Sequence, residues 1–172
     1  NTDPKGDRSK RPQDQDPDML LHVVKETDKG IIVRGAKYET AAAYANQAFT
    51  KPTIANWGDS QLSDYAVGFI VDLGAPGISM ICRTGFAGRS PAEDYPLASR
   101  FDEIDSLVVF DNVLIPWENV LFYRHTKAAM FIRMTLHRYS AYAFVQRILK
   151  FADMMIGAAL FNVRQTGLDK QQ

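Results

Sequence analysis

At 172 residues, 46% hydrophobic and 23% charged, with a formal net charge of zero, the chain is long enough for one well-buried core. The zero balance argues against a nucleic-acid or membrane-surface role driven by bulk charge. The single cysteine excludes an internal disulfide framework and fits a reducing compartment.

No apolar run reaches the roughly 18 residues that span a bilayer, and no signal peptide is recognisable, so a cytoplasmic location is expected. Residue 1 is Asn and the last five residues, LDKQQ, have no terminal character. The chain therefore reads as an interior piece of a longer protein.

Residues 1–18, NTDPKGDRSKRPQDQDPD, have no apolar periodicity and read either as a solvated or disordered arm or as something sharper. In the sharper reading Pro4 and Gly6 set a tight backbone and leave Lys5 and Arg8 to meet an anion. Residues 19–27 and 31–40 are strand-like and joined by Asp28-Lys29-Gly30. A β-hairpin is expected there, with Gly30 supplying a positive φ. The alanines of residues 41–45 suit a helical turn, or the close approach of a flat ligand. Residues 49–54 suit a strand interrupted at Pro52.

Residues 55–64 read as a polar loop in which Trp57 either flanks an aromatic ligand or staples the loop down. Residues 65–73 form a strand, Gly74-Ala75-Pro76-Gly77 a turn, 78–83 another strand and 85–96 a loop. Residues 107–110 form a covered strand, Asp111-Asn112 a turn, and 113–115 resume the strand until Pro116. A second turn at Glu118-Asn119 precedes a strand over 120–123. Five or six strands at spacings of roughly 8 to 12 residues predict a small antiparallel barrel or sandwich. Residues 126–166 then turn helical. One unbroken helix would be about 60 Å long, too long for this β-domain to cover, so two helices or an overhanging one are expected. Residues 151–161, FADMMIGAALF, are apolar on nearly every side and need a cover the strands cannot supply.

His22, His125 and His137 have no spaced partners for a metal site, and Cys82, inside an apolar strand, reads as an inert small hydrophobe. No G-x-S-x-G, Walker or G-x-G-x-x-G pattern occurs, which leaves hydrolase, NTPase and Rossmann readings without support. Asp102, Glu103 and Asp105 read either as acid/base carboxylates or as a solvated turn. Composition and spacing end at a cytosolic β-domain leading into a helical one.

Residues 94–124, DYPLASRFDEIDSLVVFDNVLIPWENVLFYR, resemble the oxygenase component of 4-hydroxyphenylacetate 3-hydroxylase and its relatives, which include chlorophenol monooxygenases using reduced flavin. Residues 2–8 are similar to the family's N-P-Q-x-D-R loop, and residues 25–37, KETDKGIIVRGAK, agree as well. The resemblance implies an α+β, acyl-CoA-dehydrogenase-like architecture. Residues 1–124 would be an antiparallel middle β-barrel that binds flavin, and residues 125–172 the start of a C-terminal four-helix bundle.

It also implies hydroxylation of a phenol. Reduced FAD comes from a partner reductase, and oxygen transfer proceeds through a flavin hydroperoxide within a homo-oligomer, commonly a tetramer. Lys5, Gly6, Asp7 and Arg8 would lie along the flavin, with Lys5 standing where glutamine is common. Thr40 or Ala41 would take a flavin contact usually made by threonine, and Thr53 and Ile54 would meet substrate under a closing loop at 55–64. The family's catalytic His and its substrate-side Arg and Tyr would lie upstream of Asn1. Two other readings stay open: an enzyme like 4-hydroxybutyryl-CoA dehydratase or vinylacetyl-CoA isomerase, and a non-catalytic assembly domain of the same fold.

Overall fold

The computed structural model describes residues 4, 6–7, 9–39, 42–52, 59–86, 88–89 and 91–170. The hairpin forms as expected. Strands β1 (His22–Thr27) and β2 (Gly30–Glu39) pair antiparallel, Thr27 opposite Gly30, across the two residues Asp28 and Lys29. Gly30 has a φ of 152°, and a Cβ there would lie 2.0 Å from the carbonyl oxygen of Ile115. Its lack of a side chain thus serves close approach to a third strand as much as the turn. The first strand is shorter than expected, because Pro17–Met19 forms a 3₁₀ turn capped by the Asp16 carboxylate, which accepts from the Asp18 N–H at 3.0 Å.

That third strand is β6 (Ser106–Pro116), which pairs with β2 from Gly30 opposite Pro116 to Glu39 opposite Ser106. The turn expected at Asp111-Asn112 is a β-bulge instead: both residues oppose Arg34, and the ladder continues on either side. Asn112 takes the left-handed conformation, φ 52°, and its Oδ1 accepts a 2.7 Å hydrogen bond from Arg34.

With β3 (Gln47–Thr50), β4 (Gly68–Asp72), β5 (Ile78–Cys82) and β7 (Val120–Phe122), the strands form two antiparallel sheets. Their orders are β1-β2-β6-β5 and β3-β4-β7. The expected barrel is therefore corrected. Closure needs a ladder that returns to its first strand, and among the described residues neither sheet closes. The space between the sheets is filled by side chains from both: Val23, Ile31, Val33, Val108, Phe110, Val113 and Ile115 from one, Phe69 and Val71 from the other. Phe69 and Phe110 meet edge to face across it, ring centroids 6.2 Å apart.

The chain divides into two compact units, residues 1–130 and 131–172. A short helix, α1 (Ala98–Phe101), precedes β6. Two helices follow β7, α2 (Thr126–Met134) and α3 (Leu136–Thr166). The break falls at Thr135, whose φ and ψ are −106° and −74° and whose hydroxyl donates to the Phe131 carbonyl at 2.8 Å. Such back-bonding competes with the backbone ladder and bends helices. Gly167, left-handed at φ 72°, caps α3 through N–H bonds to the carbonyls of Val163 and Arg164. Phe151, Met154, Met155, Ile156, Leu160 and Phe161 are exposed in this chain. No helix of the described residues is long and apolar enough to cross a membrane.

Replacing Phe110, 1% exposed, by alanine removes one half of the inter-sheet contact. A loss of about 3–5 kcal/mol is expected in urea unfolding followed by near-UV circular dichroism.

Candidate functional site

Side chains alternate across a strand, and in β2 the odd-numbered residues face the core. Ile31, Val33 and Gly35 are buried and apolar, but the same face continues into Lys37, 1% exposed, and Glu39, 8% exposed. Opposite them in β6 stand Val108 and the buried Ser106. One end of the core is therefore polar, about 23 Å along β2 from the hairpin connection at Gly30. The Lys37 ammonium donates to the Lys51 carbonyl at 2.7 Å, just past β3. Thr50, the last residue of β3, is fully buried, and its hydroxyl has no hydrogen-bond partner among the described residues. A buried hydroxyl left over in this way is a ready donor or acceptor for a polar group entering the site.

Cys82 pairs with Ser106 in the ladder, its sulfur 3.3 Å from the Ser106 hydroxyl. Cys82, expected as an inert small hydrophobe inside an apolar strand, lies on the edge strand β5 and is exposed.

At the start of the chain, Gly6 adopts φ 51° and Asp7 holds a tight turn. The Asp7 carboxylate accepts from the Ser9 N–H at 2.9 Å and from the Ser9 hydroxyl at 2.7 Å, which lowers its pKa. Gln15 accepts from the Asp7 N–H at 3.1 Å. This stretch is a built turn in which the Asp7 carboxylate serves the loop itself. Leu20, which follows it, clusters with Leu62 and Tyr65, and the His22 ring lies 5.3 Å from that of Tyr65. Part of the expected polar loop is thus a 3₁₀ helix, Ser60–Tyr65, which buries Leu62 and Tyr65 beside the chain's first strand. The remaining expected contacts, Lys5, Arg8, Thr40, Ala41, Thr53, Ile54 and the aromatic Trp57, lie outside the described residues.

Two of the histidines are engaged locally. His22 Nδ1 donates to the Leu20 carbonyl at 2.9 Å, and His125 Nδ1 accepts from the Ala128 N–H at 2.9 Å, capping α2. No group of three or more potential metal ligands occurs among the described residues.

Neither expected reading of Asp102 fits. Its nearly buried carboxylate is bound by the Arg83 guanidinium and accepts from the Phe86 N–H at 2.8 Å. Arg83 also donates to the carbonyls of Thr84 and Glu103 and lies over the Phe86 ring, which stacks on Tyr95. The Arg83 hydrogen bond first, and the Phe86 N–H second, hold the Asp102 carboxyl below its ordinary range. It is a loop clasp, ionised at neutral pH and unsuited to proton transfer.

Lys37, Glu39, Thr50 and Ser106 were not singled out as site residues from the chain alone. The signal was present in IIVRGAKYE, where the inward parity of Ile31 and Val33 runs on to two charged residues.

Comparison with known proteins now identifies the class. The model of the 4-hydroxyphenylacetate 3-hydroxylase N-terminal family matches residues 1–122, and the chain belongs to that family. It is 39% identical over 168 residues to the oxygenase component of a 4-nitrophenol 2-monooxygenase from Rhodococcus sp., covering 94% of this chain and 31% of that protein. Among solved structures it is similar to the oxygenase component of 4-hydroxyphenylacetate 3-monooxygenase complexed with FAD and 4-hydroxyphenylacetate. That match has a TM-score of 0.67 at 34% identity over 77% of this chain and 28% of the other. An oxygen-tolerant archaeal 4-hydroxybutyryl-CoA dehydratase from N. maritimus is similar too, with a TM-score of 0.67 at 30% identity over 75% of this chain and 26% of the other. The chain thus spans about a third of the length of the relatives it matches.

Because the Asp102 carboxyl is lowered from 3.8, its ionised form stabilises the folded state above that pH, and the contribution is lost as pH falls below it. In Asp102→Asn the acid limb of thermal stability should flatten, and trypsin should cut faster after Arg89 and Arg100 at neutral pH. An unchanged acid limb would count against the clasp.

Proposed function

We propose that the chain is the central part of the oxygenase component of a two-component monooxygenase that hydroxylates a phenol. Residues 1–124 act as its flavin-binding β-domain, and residues 125–172 begin its helical bundle. What carries this reading is the likeness, in sequence and in shape, to an oxygenase component solved with FAD and a phenolic acid bound. Reduced FAD, delivered by a partner reductase, supplies the activation of oxygen, and the route through a flavin hydroperoxide is part of the proposal. The protein's own task is to orient the phenol and keep water out.

Gly6 and Asp7 shape the turn that presents Lys5 and Arg8 along the flavin, and Thr40 or Ala41 adds a further contact. Thr53 and Ile54, three and four residues past the buried Thr50, meet the substrate. The buried unpaired Thr50 hydroxyl and the Lys37 ammonium suit a polar group at this end of the core. The apolar exposed faces of α3 are covered by further bundle helices and by other copies in a homo-oligomer, for which a tetramer is the expected size.

The test is oxygen consumption and product mass for the full-length protein with reduced FAD and a panel of phenols. A product heavier by one oxygen is expected for at least one phenol. Failure to bind reduced FAD, or peroxide as the sole product across the panel, would overturn the reading. Residues 1–172 alone, about a third of the length of such enzymes, should give no turnover. The dehydratase reading is favoured by the equal structural likeness to the archaeal enzyme. Iron in the full-length protein, with dehydration of a hydroxyacyl-CoA, would select it instead.

A further inference from the structure

We propose that the outer edge of β5 receives an extended segment of the same polypeptide from outside residues 1–172, added to the β1-β2-β6-β5 sheet as a further strand. The inference rests on reading this chain as the central part of a longer oxygenase, and it names a surface on which the rest of that protein docks.

Register partners in an antiparallel pair alternate between hydrogen-bonded and non-bonded. Just outside β5, the Asp111 N–H donates to the Gly77 carbonyl at 2.9 Å and the Arg83 N–H to the Asp105 carbonyl at 3.1 Å. That phase makes Ser79 and Ile81 the residues bonded to β6, opposite Val109 and Leu107. The backbone N–H and C=O groups of Met80 and Cys82 therefore point away from β6, and β5 is the last strand of the sheet on that side. Among the described residues nothing bonds to these groups. The Cys82 and Ser106 side chains, 3.3 Å apart, agree with this phase, since side chains of a non-bonded pair lie closest.

The other edges are guarded. β1 carries Lys25, Glu26 and a bulge between Val23 and Lys25, and β3 and β7 are only four and three residues long. β5, Ile78-Ser79-Met80-Ile81-Cys82, has neither charge nor proline and pairs with β6 without a register shift. Its outer face is apolar too. Tyr38, Leu107 and Ile81 follow one another across three strands as register partners, and Tyr38 is 51% and Ile81 64% exposed. An edge so bare pairs readily with other chains, so it suits permanent cover and not water.

The size of the edge selects the occupant. Five residues extend about 17 Å, too little for the roughly 1,000 Å² of buried surface that holds two separate molecules together. A segment on the same polypeptide escapes that requirement, because attachment raises its effective concentration. The supply is there: this chain covers 31% of the matched nitrophenol monooxygenase component, and the greater part of that protein lies outside the match. The fitting segment is extended, uncharged, about as long as β5, and apolar where it lies beside Ile81.

The experiment uses the full-length oxygenase. Residue-resolved hydrogen exchange should find the Met80 and Cys82 amides protected alongside those of Ser79 and Ile81, at least about 100-fold slower than open edge amides. Met80→Pro deletes an outward N–H and spares the β5–β6 bonds, a change that an open edge tolerates. It should lower Tm below that of Met80→Ala, which keeps the N–H. Exchange should also quicken in a peptide outside residues 1–172, and that peptide identifies the docked strand. Ile81→Lys, a charge on an exposed side chain, should quicken the same peptide and decides if Met80→Pro does not fold.

Fast exchange at Met80 and Cys82 in the wild type would overturn the proposal. So would protection there with no quickening outside residues 1–172 in the folded variants, the outcome expected of cover by a second copy. A natural product of only 19.3 kDa would leave no segment to dock and overturn it as well. Absence of phenol turnover would defeat the monooxygenase reading alone, because the exchange pattern does not depend on catalysis.

Discussion

The fold depends on keeping one face of the β2–β6 pair turned inward along its whole length. Side chains alternate, so one extra residue in either strand exchanges core and solvent faces beyond it. In β2 the inward residues are odd-numbered throughout, from Ile31 to Glu39. In β6 they are Ser106, Val108 and Phe110, and then Val113 and Ile115. Parity changes at Asp111-Asn112, where the bulge lies. Without a second residue opposite Arg34, either the apolar pair Val113 and Ile115 or the trio ending at Phe110 would point to water. Asn112 can absorb the change because it tolerates a left-handed backbone, and Arg34 secures its side chain.

That constraint explains which features could be read from the chain. The division into strands and then helices, the hairpin at Asp28-Lys29 and the turn over residues 74–77 all follow from local chemistry: periodicity, glycine and proline, and an aspartate that caps its own turn. At the last of these, Asp72 accepts from the Gly74 N–H at 2.8 Å. The bulge was not readable in the same way. Asp-Asn suits a turn and a bulge equally, and only the partner strand decides which. The exposure of Cys82 was unreadable for a related reason. An apolar strand is covered or bare according to whether it lies at the centre or edge of a sheet, and edge position is a property of topology. Strand count and spacing left barrel and sandwich open, since neither records which edges pair; the barrel that the resemblance implied does not close among the described residues.

The site divides along the same line. The turn at Gly6 and Asp7 was readable because proline, glycine and aspartate act over a few residues. The clasp at Arg83 joins residues about twenty apart in the chain, and no local pattern announces it. Lys37 lies between these cases. Its inward parity is written in the strand, but its partner, the Lys51 carbonyl, belongs to the other sheet.

The balance of forces at that end of the core bears on what it is for. Burial of Ile31, Val33, Val113 and Ile115 supplies the hydrophobic drive and needs no polar help. Lys37, Glu39, Thr50 and Ser106 extend the same faces yet bring charges and hydroxyls that must be desolvated. A hydrogen bond returns only part of that cost in net stability, so apolar residues of like size would make the more stable core. The polar end is then better understood as geometry than as stability. It joins the two sheets where the chain leaves β3 and leaves the Thr50 hydroxyl unpaired among the described residues. The buried polar residues Lys37, Glu39, Thr50 and Ser106 thereby gather at one place in the interior, able to hold a polar group in register.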